Sequence, residues 1–261
     1  MIDCRENIMH LVDGVNQIKY QYDNDPENSI HYVLWSGGCD SSLLLYELLD
    51  AYGCNRVVAV SYKYPWLDKE KYETERLHRE AFKAKLKLRG EKFANINHTE
   101  FNISTKTVSG NNIDTAPGGT PQAIAWILSI PLYAPSGYTI YTGAIKGDDL
   151  PLFIHEYSEI FSNIAKVLKR DINLRTPYLY LNKSQIIQKL IEYDLYEETW
   201  FCEEPKDVNK PCYKCTPCST HISALCSLEL MTTNDFIRSR CQKELAKIRK
   251  ITNKENSKIK E

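Results

Sequence analysis

The stretch His31-Tyr32-Val33-Leu34-Trp35-Ser36-Gly37-Gly38-Cys39-Asp40-Ser41-Ser42, continued by Leu43-Leu44-Leu45-Tyr46-Glu47-Leu48-Leu49, decides how this 261-residue chain folds. Its opening run of apolar and aromatic residues reads as a buried strand, Ser36-Gly37-Gly38 as a tight turn, and the following leucines as the inner face of a helix. Two glycines let a backbone approach a ligand with no side chain in the way, and the unpaired amides of a helix's first turn attract anions. A phosphate is the natural ligand of such a turn. The commoner phosphate loops are excluded, because no Lys-Ser/Thr follows a G-x-x-x-x-G and the third glycine of a dinucleotide fingerprint is missing. The plain alternative is a Gly-Gly turn with its helix capped by Asp40 or Ser41.

Working outward, Tyr52-Gly53-Cys54-Asn55 stops the helix and Arg56 to Tyr62 forms a second strand. Strand, helix and strand at this spacing make a βαβ unit with a parallel sheet, whose ligands bind at the carboxyl ends of the strands. Ser36 to Asp40 and Ser61 to Tyr64 both lie there, which makes Tyr62 a nucleotide candidate; Lys63 reads either as a contact or as a solvated lysine. Asp68 to Leu88 predicts a helix with His78 as a packing or surface histidine, and Ile96 to Ile103 a third strand. Ala116-Pro117-Gly118-Gly119-Thr120-Pro121 opens a helix over Gln122 to Leu132, so Gly118 and Thr120 either face an anion or form an ordinary entry turn. Tyr138 to Ala144 is a fourth strand. Its end runs into Ile145-Lys146-Gly147-Asp148-Asp149, where paired acids can hold magnesium, accept from the amino groups of a purine-like ring, or cap the next helix, Leu152 to Leu168. Ile172 to Tyr178 is extended, and Lys183 opens a helix running to Tyr193, a place where a bound phosphate favours a lysine more than the helix dipole does. Upstream, Glu6 to Tyr22 has the spacing of a packing helix.

The second signal is Cys202-x9-Cys212-x2-Cys215-x2-Cys218, four of the nine cysteines in one short segment. Thiolates brought together by short C-x2-C links are tetrahedral zinc ligands, and with all positions filled by protein the metal is structural. Cys226, in the following helix, reads as a buried thiol outside the set. Pro211, Pro217 and the polar run Glu203 to Lys210 make this region a loop that the metal must organise. A formal net charge of −1 gives no global pull towards nucleic acid or an acidic membrane. No apolar run is long enough to span a membrane and Met1 to Glu6 opens no signal peptide, so the expectation is a soluble, cytoplasmic protein. Thr232 to Glu261 is a basic amphipathic helix that reads as a solvated end, a dimer contact or an RNA contact. The fold expected is α/β: a Rossmann-like, doubly wound parallel sheet over residues 1–198, followed by a zinc loop and helices over 199–261.

Ser-Gly-Gly-x-Asp-Ser resembles the PP-loop of the ATP pyrophosphatases, which cleave ATP between its α- and β-phosphates. That resemblance implies that Ser36, Gly37, Gly38, Ser41 and Ser42 hold the pyrophosphate beside Leu34 and Tyr62, and that Asp40 meets magnesium. Together with Pro177-x5-Lys183 and the cysteine loop, the chain resembles, from about Tyr32 to Leu225, the 7-cyano-7-deazaguanine synthases of queuosine precursor biosynthesis. By that resemblance ATP, Mg2+ and Zn2+ are the cofactors and Asp40, Lys183 and Asp148 the catalytic residues. Gly118, Thr120, Gly143, Lys146 and Asp149 contact a 7-deazaguanine-like acid, which is adenylated and attacked by ammonia to give an amide and then a nitrile. A homodimer is expected. The chain departs from the family where the base is recognised: Pro117-Gly118-Gly119-Thr120 stands in place of Pro-Gly-Arg-Asn, and a Gly-Tyr-Pro-Asp-Cys-Arg segment is missing before Pro151. A second reading is therefore a ligase like the family's relatives in anti-phage defence operons, joining the acid to an amine, for instance on a protein. A third, of another class, is a non-catalytic zinc-loop module that binds RNA or protein.

Overall fold

Period-two alternation sorts the strands' side chains onto two faces, and helices cover both. The computed structural model describes residues 29–63, 69–102, 130, 131, 136–148 and 150–258. Strands β1 (Ile30–Leu34), β2 (Val57–Lys63), β3 (Asn97–Asn102), β4 (Tyr138–Tyr141) and β5 (Ile172–Arg175) form one parallel sheet in the order β3-β2-β1-β4-β5. Val33, Val57, Ala59 and Tyr141 point to one face, where they pack with leucines of α1 (Cys39–Tyr52), Phe82 and Leu86 of α2 (Lys69–Lys87), and Ile186 and Leu190 of α4 (Lys183–Glu192). Leu34, Val58, Val60, Tyr62 and Ile140 point to the other, against Ile130 and against Tyr157 and Phe161 of α3 (Ile154–Val167). This is the doubly wound α/β sheet expected, and its order reverses between β1 and β4, so a crevice opens at their carboxyl ends.

Beyond the sheet, α5 (Thr216–Met231) and α6 (Asp235–Lys258) pack on the far side of α4 through Ile187, Ile191, Leu225, Leu228, Ile237, Cys241 and Leu245. The boundary expected at Thr232 moves, because Asn234 accepts the amides of Phe236 and Ile237 at 3.0 and 3.3 Å and starts α6 after a short turn. A short 3-10 turn, Leu150–Phe153, precedes α3, which begins two residues later than its spacing suggested. The helix expected over Glu6 to Tyr22, most of that over Gln122 to Leu132, and Gly118, Thr120 and Asp149 lie outside the described residues.

Candidate active site

The Ser36–Ser41 turn occupies the crevice between β1 and β4. Gly37 has φ +95°, a left-handed conformation that glycine adopts without strain, and a side chain there would meet the Glu75 carbonyl at 3.0 Å. Gly38, not Asp40 or Ser41, stands at the cap of α1, and no side chain caps the helix. Instead the hydroxyls fold onto the turn: Ser41 Oγ accepts the Ser36 amide at 3.3 Å and lies 3.1 Å from Ser36 Oγ, which accepts the Gly38 amide at 3.2 Å. Ser42 turns its side chain into the core. It is fully buried, and its hydroxyl accepts from Trp35 Nε1 at 2.9 Å. Leu34 and Tyr62 are buried in the core of the opposite face, Tyr62 packing its ring on Phe101.

Asp40 and Lys183, 143 residues apart, meet at the mouth of this turn, Lys183 Nζ donating to Asp40 Oδ2 at 2.6 Å. Lys183 is the first residue of α4, whose start is fixed by a reciprocal bond pair between Asn182 and Gln185. Burial works against its charge, but the Asp40 carboxylate prevails and raises the ammonium's pKa well above the ordinary value, with Cys39 and Asp148 adding to the effect. Asp40 Oδ1 is buried without a partner among the described residues, the free acceptor that a cation needs. Gly143, at the exit of β4, lies against the first turn of α1: a Cβ there would stand 3.0 Å from the Asp40 carbonyl carbon and the Ser41 nitrogen. Asp148 accepts the Ile145 amide at 3.0 Å and so closes its own turn, while the Lys146 amide donates to the Leu181 carbonyl at 2.9 Å and its side chain is exposed.

The four cysteines converge. Cys202 Sγ lies 3.6 Å from Cys212 Sγ and 4.0 Å from Cys215 Sγ, and Cys212 Sγ 3.9 Å from Cys218 Sγ. A tetrahedral ion with metal–sulfur bonds of about 2.3 Å sets its sulfurs about 3.8 Å apart, so the residues fit one four-coordinate metal ion. Sulfurs bound to separate irons of a cluster stand farther apart. Amides of Cys212, Lys214 and Cys215 point at Cys202 Sγ or Cys212 Sγ at 3.2–3.4 Å, orienting the thiolates. Immediately before the knot, the Trp200 amide donates to the Gly37 carbonyl at 3.0 Å and the Cys39 thiol lies 3.3 Å from Thr199 Oγ1. The residues leading into the cysteine loop are thus hydrogen-bonded to the Ser36–Ser41 turn itself.

A profile of the family described as queuosine biosynthesis protein QueC matches residues 139–229. Over that stretch the chain is QueC-like. The QueC-like segment runs from β4 through Lys183 and the cysteine knot into α5, whereas the Ser36–Ser41 turn precedes it. No curated protein sequence matches the chain. Among solved structures, the U34-tRNA thiolase NcsA from Methanococcus maripaludis, with its 4Fe–4S cluster, aligns at 13% identity and a TM-score of 0.47 over 89% of this chain and 78% of that one.

Several groups of the chain, inside and outside the matched stretch, are visible only in three dimensions. Arg79 of α2 is buried, with Nη1 donating to the Ser36 carbonyl and Nη2 to Glu100 Oε2, both at 3.0 Å. His221, one turn beyond Cys218, is sandwiched between Phe201 and Tyr196, whose hydroxyl lies 2.8 Å from its Nε2; burial and then the Lys183 charge push its imidazole down to about 3. Lys71 pairs with Glu203 beside the knot and with Glu75 at 3.7 Å. His78 packs on Trp200, the packing role its sequence suggested, and Lys63 sits over the Tyr72 ring. None of Arg79, His221 or Lys71 belongs to a short motif, so only long-range pairing reveals them.

Proposed function

We propose that the protein is an ATP-dependent ligase that adenylates a 7-deazaguanine carboxylate and passes the acyl group to ammonia or an amine. The observation that carries this reading is the Lys183–Asp40 pair at the open side of the Ser36–Ser41 turn, at the point where the strand order reverses. The QueC-like match over 139–229 and the four-thiol knot support it. In this reading the turn's amides and the Ser36 and Ser41 hydroxyls hold the β- and γ-phosphates, and Asp40 Oδ1 is the ligand for magnesium. Bound magnesium neutralises charge on the departing pyrophosphate. Lys183 holds the α-phosphate as the substrate carboxylate oxygen attacks it, pyrophosphate leaves, and an acyl adenylate results. Nitrogen then attacks the acyl carbon, AMP departs and a proton is lost, giving an amide. A nitrile requires a second ATP, with the amide oxygen adenylated in the same way and AMP leaving with it. The cysteine knot takes zinc as a structural ion, consistent with its spacing and with the absence of an open coordination position in a four-thiolate set. Thiols kept reduced for such a site suit the cytoplasm.

The altered middle of the chain favours a second outcome of the same activation. Gly119 where the synthases have arginine, and the missing tyrosine-bearing segment before Pro151, remove groups that would fix the small base, which suits an amine acceptor on a larger molecule. The deciding experiment incubates the zinc-loaded protein with ATP, magnesium, 7-carboxy-7-deazaguanine and ammonium, and follows AMP together with product masses. Acid-dependent AMP with a nitrile establishes the synthase. Acid-dependent AMP ending in an amide or in mass added to a protein establishes the ligase of an amine, and no AMP overturns the adenylation reading in favour of a binding module.

A further inference from the structure

Arg79 stands behind the phosphate turn, on the side away from the crevice. Its side chain is 1% exposed, so it cannot itself reach a bound nucleotide. Two contacts set it against the turn: Nη1 donates to the Ser36 carbonyl at 3.0 Å, and Cγ lies 3.1 Å from where a Cβ on Gly37 would be. A third fixes the guanidinium from the other side, since Nη2 donates to Glu100 Oε2 at 3.0 Å and Glu100 Oε1 accepts the Tyr72 hydroxyl at 2.7 Å. Only a planar fork reaches two acceptors on opposite sides at once; an ammonium on a flexible stem is a single point charge.

Packing alone does not call for a guanidinium here, because a buried ion is no better for stability than a well-packed apolar side chain. The geometry of the peptide unit supplies a reason. The Ser36–Gly37 peptide is planar and trans, so its carbonyl and amide point in opposite directions. A carbonyl drawn back onto Arg79 therefore turns the Gly37 amide forward, to the open side of the turn. Glu100 meets the charge from the far side at 3.0 Å and Glu75 stands 4.0 Å away, which leaves Nη1 to the Ser36 carbonyl.

We propose that Arg79 is a positioning residue of the phosphate turn, holding the Ser36 carbonyl from behind so that the Gly37 amide faces the nucleotide's pyrophosphate. This rests on the ATP reading of the turn. The test compares Arg79→Met, Arg79→Lys and Glu100→Gln with the unaltered protein, using calorimetric titration with α,β-methylene ATP and magnesium, hydrogen exchange of the Gly37–Asp40 amides, and kcat and KM for AMP formation. Loss of a charge-assisted hydrogen bond is expected to weaken binding of the analogue about tenfold or more in Arg79→Met, to raise KM more than it lowers kcat, and to speed exchange at Gly37 and Gly38. Arg79→Lys should recover part of the affinity, because it restores the charge without the fork, and Glu100→Gln should cost less than Arg79→Met. Folded Arg79→Met with unchanged affinity and unchanged exchange overturns the proposal. Should Arg79→Met fail to fold, Arg79→Lys and Glu100→Gln decide it by the same readouts. If the unaltered protein does not bind the analogue, the ATP reading falls, and exchange at Gly37 and Gly38 decides by itself whether Arg79 holds the turn.

Discussion

Lys183 and Asp40 form a pair whose members lie 143 residues apart, and each leaves the other stranded if it is removed alone. Lys183→Met is expected to lower AMP formation by about 100-fold or more, because a cation aimed at developing phosphate charge acts most strongly in the transition state. It should also destabilise the fold by roughly 1.5–3 kcal/mol, the usual size for a charge-assisted hydrogen bond. Steady-state kinetics with a parallel urea titration separates the two effects, and the Asp40→Asn/Lys183→Met double variant should lose much less than the sum of the single losses. The pH behaviour follows from the raised ammonium pKa. A raised folded value means that the pair's contribution is complete below the ordinary lysine pKa of about 10.5 and is lost only as pH climbs through the higher folded value. The destabilisation in Lys183→Met is therefore expected to be the same at pH 6 and pH 9. Both residues were legible in the sequence, Asp40 from the Ser-Gly-Gly-x-Asp-Ser turn and Lys183 from its place at a helix start, but their contact was not. The direction of the Ser42 hydroxyl was not legible, because a hydroxyl in a phosphate motif and a hydroxyl that satisfies Trp35 look alike until the side chain is placed. Arg79 gave no signal at all, since a lone arginine on a charged helix reads as surface.

The strand–turn–helix unit at β1 and α1 depends on how closely β4 approaches it. Gly143 is the point of contact, and no side chain fits between β4's exit and the first turn of α1. Gly143→Ala places a methyl 3.0 Å from two backbone atoms that cannot rotate away, so α1's first turn must shift. The expected cost is about 1–3 kcal/mol, as for overpacking elsewhere. Because the displaced atoms belong to Asp40 and Ser41, AMP formation should fall further than stability alone explains, which thermal melts and initial rates on one preparation will reveal. Elements were the most legible level of this protein. β-branched strands between turn residues, the leucine spacing of α1 and the parallel pairing of β1 with β2 all followed from local pattern, whereas the order of the five strands did not. What local pattern lacked was the exact hand-over between elements: α6 starts at its Asn234 cap, whose side-chain oxygen accepts the Phe236 and Ile237 amides, and not at Thr232, and α3 is entered through a 3-10 turn.

At the scale of the whole molecule, the cysteine knot is tied to the Ser36–Ser41 turn and to α2 at several points. Trp200 is bonded to Gly37, Thr199 lies beside Cys39, Glu203 pairs with Lys71, and the Asn209 amide donates to Thr74 Oγ1 at 3.0 Å. Lys71 and Thr74 belong to α2, the helix that also carries Arg79, so both ends of the cysteine loop bear on the frame of the turn. On the other side α4 links the two packed regions, with Ile186 and Leu190 facing the sheet and Ile187 and Ile191 facing α5 and α6. A metal ion holding Cys202 to Cys212–Cys218 therefore constrains more than its own loop. Removing it with a chelator, on the intact protein, is expected to lower the melting temperature by several degrees, since 1 kcal/mol corresponds to roughly 2–4 °C in a domain of this size. The same treatment should weaken nucleotide binding, and zinc should restore both. The sheet core does not depend on the metal, so circular dichroism in the far ultraviolet should change little at 25 °C. The two readouts must move together: a metal-free protein that melts earlier but binds nucleotide as before would confine the knot to α5 and α6 and leave the Trp200–Gly37 bond without mechanical consequence. Loss of nucleotide binding with zinc removal, and its return with zinc alone, makes the knot part of the frame that shapes the turn.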